Sequence, residues 1–210
     1  MNTLFDFDKK YGYVIGTDEA GRGPAAGGVF AAAVYFPEIT NGLILDLEKL
    51  NDSKKLSNIA REKLYDIILP SSINSIVNIE VEEIEKINIL NASLKAMKLA
   101  CENVIQKANL KEFITLVDGN KNIKNYIYPQ KYIIKGDGKS ASIAAASILA
   151  KVLRDKYMAD LAQEFPQYGW NRNAGYLTAE HLEAIDNYGL TKYHRPSFLR
   201  KHFEKQLSLF

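Results

Sequence analysis

Short apolar runs bounded by glycine and proline alternate along this chain with longer stretches in which apolar residues recur every three or four positions. Tyr13–Thr17 and Gly28–Phe36 (GVFAAAVYF) are runs of the first kind and predict two consecutive strands, with a hairpin as the natural connection. Ser57 precedes a stretch with the helical period, Ile59, Leu64, Ile67, Ile68 and Leu69, that stops at Pro70, the layout of a capped helix. Ser75–Val81 alternates as a strand does. From Asn91 to Ala108, Leu94, Met97, Ala100, Cys101, Val104 and Ile105 share one face of an amphipathic helix. Two more short strands, Phe113–Val117 and Tyr132–Ile134, run into Asp118-Gly119-Asn120 and Gly136-Asp137-Gly138. Ser140–Leu161 predicts a long helix whose first half (SIAAASILAKVL) is small enough to lie close against a sheet. After the loop FPQYGWNRNAGY, two short helices are expected to start at Thr178 and Ser197. Strands paired first as a hairpin and later alternating with helices predict an α/β architecture on a mixed central sheet flanked by helices.

At 210 residues the chain suits one core domain with a modest C-terminal extension. The division expected is a core over 1–165, a small helical extension over 166–205 packed on it, and a tail over 206–210. No run is apolar and long enough to span a bilayer, so no membrane partner is expected. The start, MNTLFDFDKKYGYVIG, lacks the layout of a secretory signal, which makes the expected location cytoplasmic. Cys101 is the only cysteine, which excludes a disulfide framework or thiolate cluster and fits a core position. The net charge of +2 conceals a split: residues 1–118 hold 13 basic against 17 acidic side chains, and residues 119–210 hold 14 against 8. A polyanion lying across the C-terminal half would suit that split, and so would ordinary solvated helix faces.

Three expected strand ends carry acids beside glycine: Asp18 with Glu19, Asp118, and Asp137. Any one of them alone reads more readily as a turn residue. Together they offer four oxygen donors without Cys or His, a set suited to a hard cation such as Mg²⁺ or Mn²⁺. Adjacent strand residues point to opposite faces, so Asp18 and Glu19 can serve one site only if the strand ends or kinks there, with Gly21 helping. No GxxxxGK[ST] pattern is present, which disfavours a nucleoside triphosphate loop.

The segments GTDEAGRGPAAGG, NDSKKLS, VDGN, KGDGKSASIAAASILAKVLRD, YGW with the following GYLTAEH, and HRPSF resemble bacterial ribonuclease HII in order and over nearly the whole chain. The resemblance implies a ribonuclease H-like fold in which Asp18, Glu19, Asp118 and Asp137 hold two divalent ions, Mg²⁺ or Mn²⁺. It implies an endonuclease acting on RNA–DNA hybrids and at single ribonucleotides in duplex DNA, cutting on the 5′ side and leaving 3′-hydroxyl and 5′-phosphate ends. Gly21-Arg22-Gly23 is similar to the family's glycine-arginine-glycine motif, whose bare backbone can approach the 2′-hydroxyl while the arginine contacts a phosphate; a tight turn after a strand is the plainer reading. Tyr176 matches the tyrosine that stacks on the next sugar. Lys54 and Lys55 are candidate phosphate contacts, with Lys139, Ser140, Arg195 and Lys201 as weaker ones.

Asp155, on the alanine-rich helix, is expected to pair with a nearby lysine or arginine rather than bind metal. His181, His194 and His202 are not needed for a two-metal reaction and are not assigned acid–base roles. The last residues, Gln206, Leu207, Ser208, Leu209 and Phe210, resemble the pentapeptide with which bacterial replication proteins dock on the sliding clamp; a helix end folded back on the core is the alternative. The chain is expected to act as a monomer. Two other readings share part of this pattern: a DNA resolvase or transposase-like nuclease on the same fold, and a catalytically silent hybrid-binding module.

Overall fold

The computed structural model describes residues 3–52 and 56–207. Its elements in chain order are α1 (Thr3–Lys9), β1 (Val14–Ala20), β2 (Val29–Tyr35), α2 (Asn41–Asp46), α3 (Asn58–Ser71), β3 (Ile73–Ile79), α4 (Val81–Ile87), α5 (Ile89–Ala108), β4 (Ile114–Asp118), β5 (Gln130–Ile133), α6 (Ala141–Glu164), α7 (Trp170–Asn173), α8 (Ala179–Tyr188) and α9 (Pro196–Leu207). The five strands form one mixed sheet in the order β3-β2-β1-β4-β5. β1, β2 and β3 pair antiparallel, while β4 joins β1 in parallel and β5 joins β4 in parallel.

GVFAAAVYF reads as one unbroken apolar run because both faces of β2 are covered. Val29, Ala31, Ala33 and Tyr35 pack with Ala96, Met97, Ala100 and Val104 of α5, whereas Ala32 and Val34 pack against Ala144, Ala145 and Ile148 of α6. The helix starts expected at Ser57 and Thr178 are capped by those side chains, which accept from the amides of Ala60 and His181, and Ser140 caps α6 in the same way by accepting from Ile143. α3 continues one residue past Pro70. α9 begins at Pro196 rather than at Ser197, whose amide and hydroxyl instead donate to Glu85 of α4. Residue 81 starts a helix instead of ending a strand.

One expectation fails outright. β1 neither breaks nor kinks at the acidic pair: it stays paired with β2 through Asp18↔Ala32, Glu19↔Ala31 and Ala20↔Phe30. The chain turns only at Gly21, which has a φ of +99°. The two acids therefore lie on opposite faces of the sheet, as strand alternation requires.

α6 lies so close to β1 that a Cβ at residue 16 would overlap the backbone of Ser142 and Ile143. Asp8 of α1, itself buried, braces this end of α6 by accepting the Ser142 amide at 2.9 Å. Residues 166–205 form a further apolar cluster in which Tyr168, Trp170, Ala184, Ile185 and Leu199 pack on Ala25, Ala26, Met158 and Leu161. Among the described residues no helix is long and apolar enough to cross a membrane. Because the neighbour at Gly16 is backbone, which has little room to retreat, Gly16→Ala is expected to lower stability by about 2–3 kcal/mol in denaturant unfolding; an unchanged midpoint would show that α6 can shift off β1 freely.

Candidate active site

The register that pairs Thr17 with Val117 across β1 and β4 brings Asp18 and Asp118 side by side on the face covered by α6. Glu19 comes to the same place from the other face. All three line one open cavity of about 410 Å³ at the ends of β1 and β4, walled on one side by α6. Its other walls are Ala20 through Gly23, Tyr176, and a residue of α3.

The carboxylates are held by few, specific partners. Asp18, only 4% exposed, accepts the Glu19 amide at 2.7 Å and the hydroxyl of Ser147 on α6. Burial, reinforced by the charges of Glu19 and Asp118, pushes its carboxyl well above the usual carboxylate range. Burial also raises Glu19, against the opposing pull of Arg22, whose Nη1 donates to Glu19 Oε1 at 3.1 Å, and of the Ser93 hydroxyl on α5. Asp118 Oδ1 accepts the Gly136 amide at 2.6 Å. That bond fastens the 3-10 turn Gly136–Gly138, and with it buried Asp137, to the end of β4.

Asp137 itself does not line the cavity. Among the described residues no group of three or more Asp, Glu, His or Cys side chains is drawn together tightly enough to hold an ion. The donor chemistry nonetheless fits a hard divalent cation: the three groups are carboxylates, and the charges of Glu19 and Asp118 raise the cost of ionising Asp18.

Gly21, Arg22 and Gly23 line the same cavity, and Tyr176, half-exposed, lies over Gly23 with Cε1 3.2 Å from where a Cβ would stand. The sequence pattern did not point to Arg61, Ser147, Lys151 and Arg154, which also line the cavity. The last three could have been found: they recur at helical spacing, facing one way from an otherwise alanine-rich helix. Asp155 does pair with neighbours, with Lys151 at 2.5 Å and Arg61 at 3.3 Å. Lys54 and Lys55 lie outside the described residues, as do Leu209 and Phe210; Gln206 and Leu207 end α9. Ser140 and Arg195 are not free phosphate contacts, since both are fully buried, Ser140 as a helix cap and Arg195 beneath the 21–28 loop. Cys101 is core, its thiol pushed up to about 12 by burial.

The histidines stand away from the cavity, but two of them support it from behind. Trp170 Nε1 donates to His181 Nε2 at 3.0 Å, and His181 Nδ1 meets the Tyr176 carbonyl at 2.9 Å. His194 Nε2 lies 3.2 Å from His181 Nε2, and its Nδ1 accepts the Thr191 amide at 2.9 Å. One proton arrangement opposes no donor to a donor: His181 carries its proton on Nδ1 and His194 on Nε2, with Trp170 and His194 sharing the single lone pair of His181 Nε2. A further proton on either ring would oppose a donor to a donor. His202 pairs instead with Asp186 at 2.7 Å.

Residues 15–206 match the family model described as Ribonuclease HII. A Ribonuclease HII from Fusobacterium nucleatum is 50% identical over 206 residues, covering 98% of this chain and 94% of that protein. Among solved structures, the ribonuclease H2 from Pyrococcus horikoshii OT3 superposes with a TM-score of 0.69 at 26% identity, covering 92% of this chain and 98% of that one. The RNase HII chain in a PCNA:RNase HII complex from Archaeoglobus fulgidus gives 0.70 at 23% identity, covering 87% and 93%.

The histidine pair makes a pH prediction. Burial and then the neighbouring His181 bring His194 down to about 4, and burial also lowers His181. The unfolded chain takes up these protons near 6.5. The pair's contribution is therefore complete above pH 6.5 and is lost as pH falls toward 4, at up to about 1.4 kcal/mol per pH unit per histidine. Thermal midpoints should drop between pH 6.5 and 5, and His194→Asn, with no proton to gain, should show a shallower drop; parallel curves would rule out the neutral pair.

Proposed function

The chain belongs to the ribonuclease HII family, and from that premise we propose that it is an endonuclease hydrolysing the RNA strand of RNA–DNA hybrids and incising on the 5′ side of single ribonucleotides in duplex DNA. One observation carries the reading: a single cavity is lined by Asp18, Glu19 and Asp118 together with Gly21-Arg22-Gly23 and Tyr176. Acids suited to a cation and bare backbone suited to a sugar hydroxyl thus share one cavity.

Asp18, Glu19, Asp118 and Asp137 would hold two divalent ions, Mg²⁺ or Mn²⁺. Such ions, when bound, supply activation of water and stabilisation of the leaving oxygen in an in-line displacement at phosphorus, leaving 3′-hydroxyl and 5′-phosphate ends. The protein's part is placement. Ser147 and the Glu19 amide orient Asp18, and Ser93 and Arg22 orient Glu19. The Gly136 amide on Asp118 sets the turn that carries Asp137. Arg22, Arg61 and Lys151 supply positive charge along the rim for phosphates on either side of the cut, with Lys54 and Lys55 as further contacts.

The backbone of Gly21 and Gly23 meets the ribose, whose 2′-hydroxyl can both donate and accept. Tyr176, its ring free above Gly23, stacks on the following sugar. Residues 166–205 act as an extension of the catalytic domain, 1–165. The terminal segment Gln206 to Phe210 is a docking peptide for a sliding clamp, a role supported by the clamp complex solved for the Archaeoglobus fulgidus protein.

A duplex with one internal ribonucleotide should be cut 5′ of that residue with Mg²⁺ or Mn²⁺ while the all-DNA duplex stays intact. Asp18→Asn should reduce cutting by about a hundredfold or more yet retain duplex binding. Equal cutting of all-DNA duplex, or full activity in the variant, would overturn the proposal. Removing residues 206–210 should weaken clamp binding and leave oligonucleotide hydrolysis unchanged; equal clamp affinity with and without them excludes the docking role.

A further inference from the structure

The loop from Gly21 to Gly28 forms one wall of the cavity, and buried cations hold it. Arg195, in the stretch leading into α9, is fully buried. Among the described residues it makes no ion pair. Its donors are spent on loop carbonyls instead: Nε and Nη2 on Gly27 at 2.9 and 2.6 Å, Nη1 on Pro24 at 2.8 Å and on Arg22 at 3.5 Å, and Nη2 also on Gly28 at 3.1 Å. Arg154 of α6, 1% exposed, does the same from the other side, with Nη2 3.1 Å from the carbonyls of Ala26 and Ala174. Its Nε has no hydrogen-bond partner and lies against Gly21, where any Cβ would overlap it.

The backbone adds three stitches between the loop and the C-terminal segment. Ala25 donates to the Gly175 carbonyl at 2.9 Å, Gly27 to that of Tyr193 at 2.8 Å, and Arg195 to that of Ala25 at 2.7 Å.

A guanidinium is costly to bury without a carboxylate, and burial followed by the charge of Arg154 takes Arg195 down to about 9. The loop carbonyls must offset that cost, so the cation and the loop conformation are tied together. The planar five-donor fork matters as much as the charge: it reaches carbonyls from residue 22 to residue 28 at once, which an ammonium on a flexible stem cannot do.

We infer that Arg195 is a positioning residue for substrate selection, clamping the 22–28 carbonyls so that Gly21-Arg22-Gly23 meets the sugar at a fixed distance, with Arg154 fixing the loop where it leaves β1. The inference rests on the proposed reading of that loop as the group that contacts the ribose. Ribose and deoxyribose differ by one hydroxyl, and a hydrogen bond to it weakens steeply with small errors in distance and angle. A loosened loop therefore loses discrimination before it loses grip on phosphates, because Arg61 and Lys151 stand on helices outside it.

The test compares, in full-length protein under one set of conditions, the KM for a duplex with a single ribonucleotide and the Ki of the matching all-DNA duplex as competitor. Neither constant depends on the fraction of active enzyme, so a merely structural role would leave their ratio unmoved. In the wild type KM is expected to lie below Ki. Arg195→Lys should bring the two together by about tenfold, with faster amide exchange at Gly27. Arg154→Lys, which loosens the same loop from the other side, is the second variant and should move the ratio the same way. A wild-type ratio in both folded variants, or unchanged exchange at Gly27, would overturn the clamp. Equal KM and Ki in the wild type would instead overturn the reading of the loop as a sugar contact, and this inference with it.

Discussion

Burying Asp18 beside Glu19 and Asp118 opposes folding, and the arrangement of this protein follows from how that opposition is met. Each ionised carboxylate taken out of water costs about several kcal/mol unless paired or hydrogen-bonded. Here the only ion pair on the trio among the described residues is Arg22 on Glu19, supplemented by two serine hydroxyls and two backbone amides. Those partners orient the acids without neutralising them, and Asp18 and Glu19 bear the strain as raised proton affinities. Oxygen donors crowded in this way suit a hard divalent cation in their chemistry. The rest of the sheet serves the placement: a parallel β1–β4 pair to set Asp18 by Asp118, α6 pressed on Gly16 to deliver Ser147, and α5 on the opposite face to deliver Ser93.

The loop that lines the same cavity has a different problem, because a glycine-rich segment has little side-chain packing to hold its shape. Two buried arginines and three backbone bonds from the C-terminal segment provide that shape from outside. Tyr176 is anchored in the same way, its carbonyl held by His181 and its ring free over Gly23. Residues 166–205 thus determine the geometry of a cavity to which they contribute only one side chain.

Much of this was legible in the chain and some was not, for physical reasons. The buried strands, the long helices and the helix starts at Ser57 and Thr178 follow from local pattern, which is strong wherever both faces of an element are covered or its first amides need an acceptor. α1, α2 and α4 are short and depend on tertiary contacts such as Asp8 on the Ser142 amide, so no period announces them. Alternation along a strand demands a break at the acidic pair only if the strand runs on past the site. An unbroken strand whose last residues line a cavity at its end lets both acids contribute. Arg195 and Ser140 looked like phosphate contacts because a basic or polar residue in sequence carries no mark of burial. The stripe of Ser147, Lys151 and Arg154 recurs at helical spacing, but the small residues around it mark only a helix that packs on a sheet.

The most direct measurement of the central claim is the thermal unfolding midpoint as a function of Mn²⁺ concentration, for the wild type beside Asp18→Asn. A cation that binds only the folded state raises the midpoint in proportion to the logarithm of its concentration once the site fills. The crowded carboxylates predict such a rise in the wild type, together with a higher metal-free midpoint and a weaker response in Asp18→Asn. A wild-type midpoint that ignores the cation, or a variant that responds as the wild type does, would contradict the account.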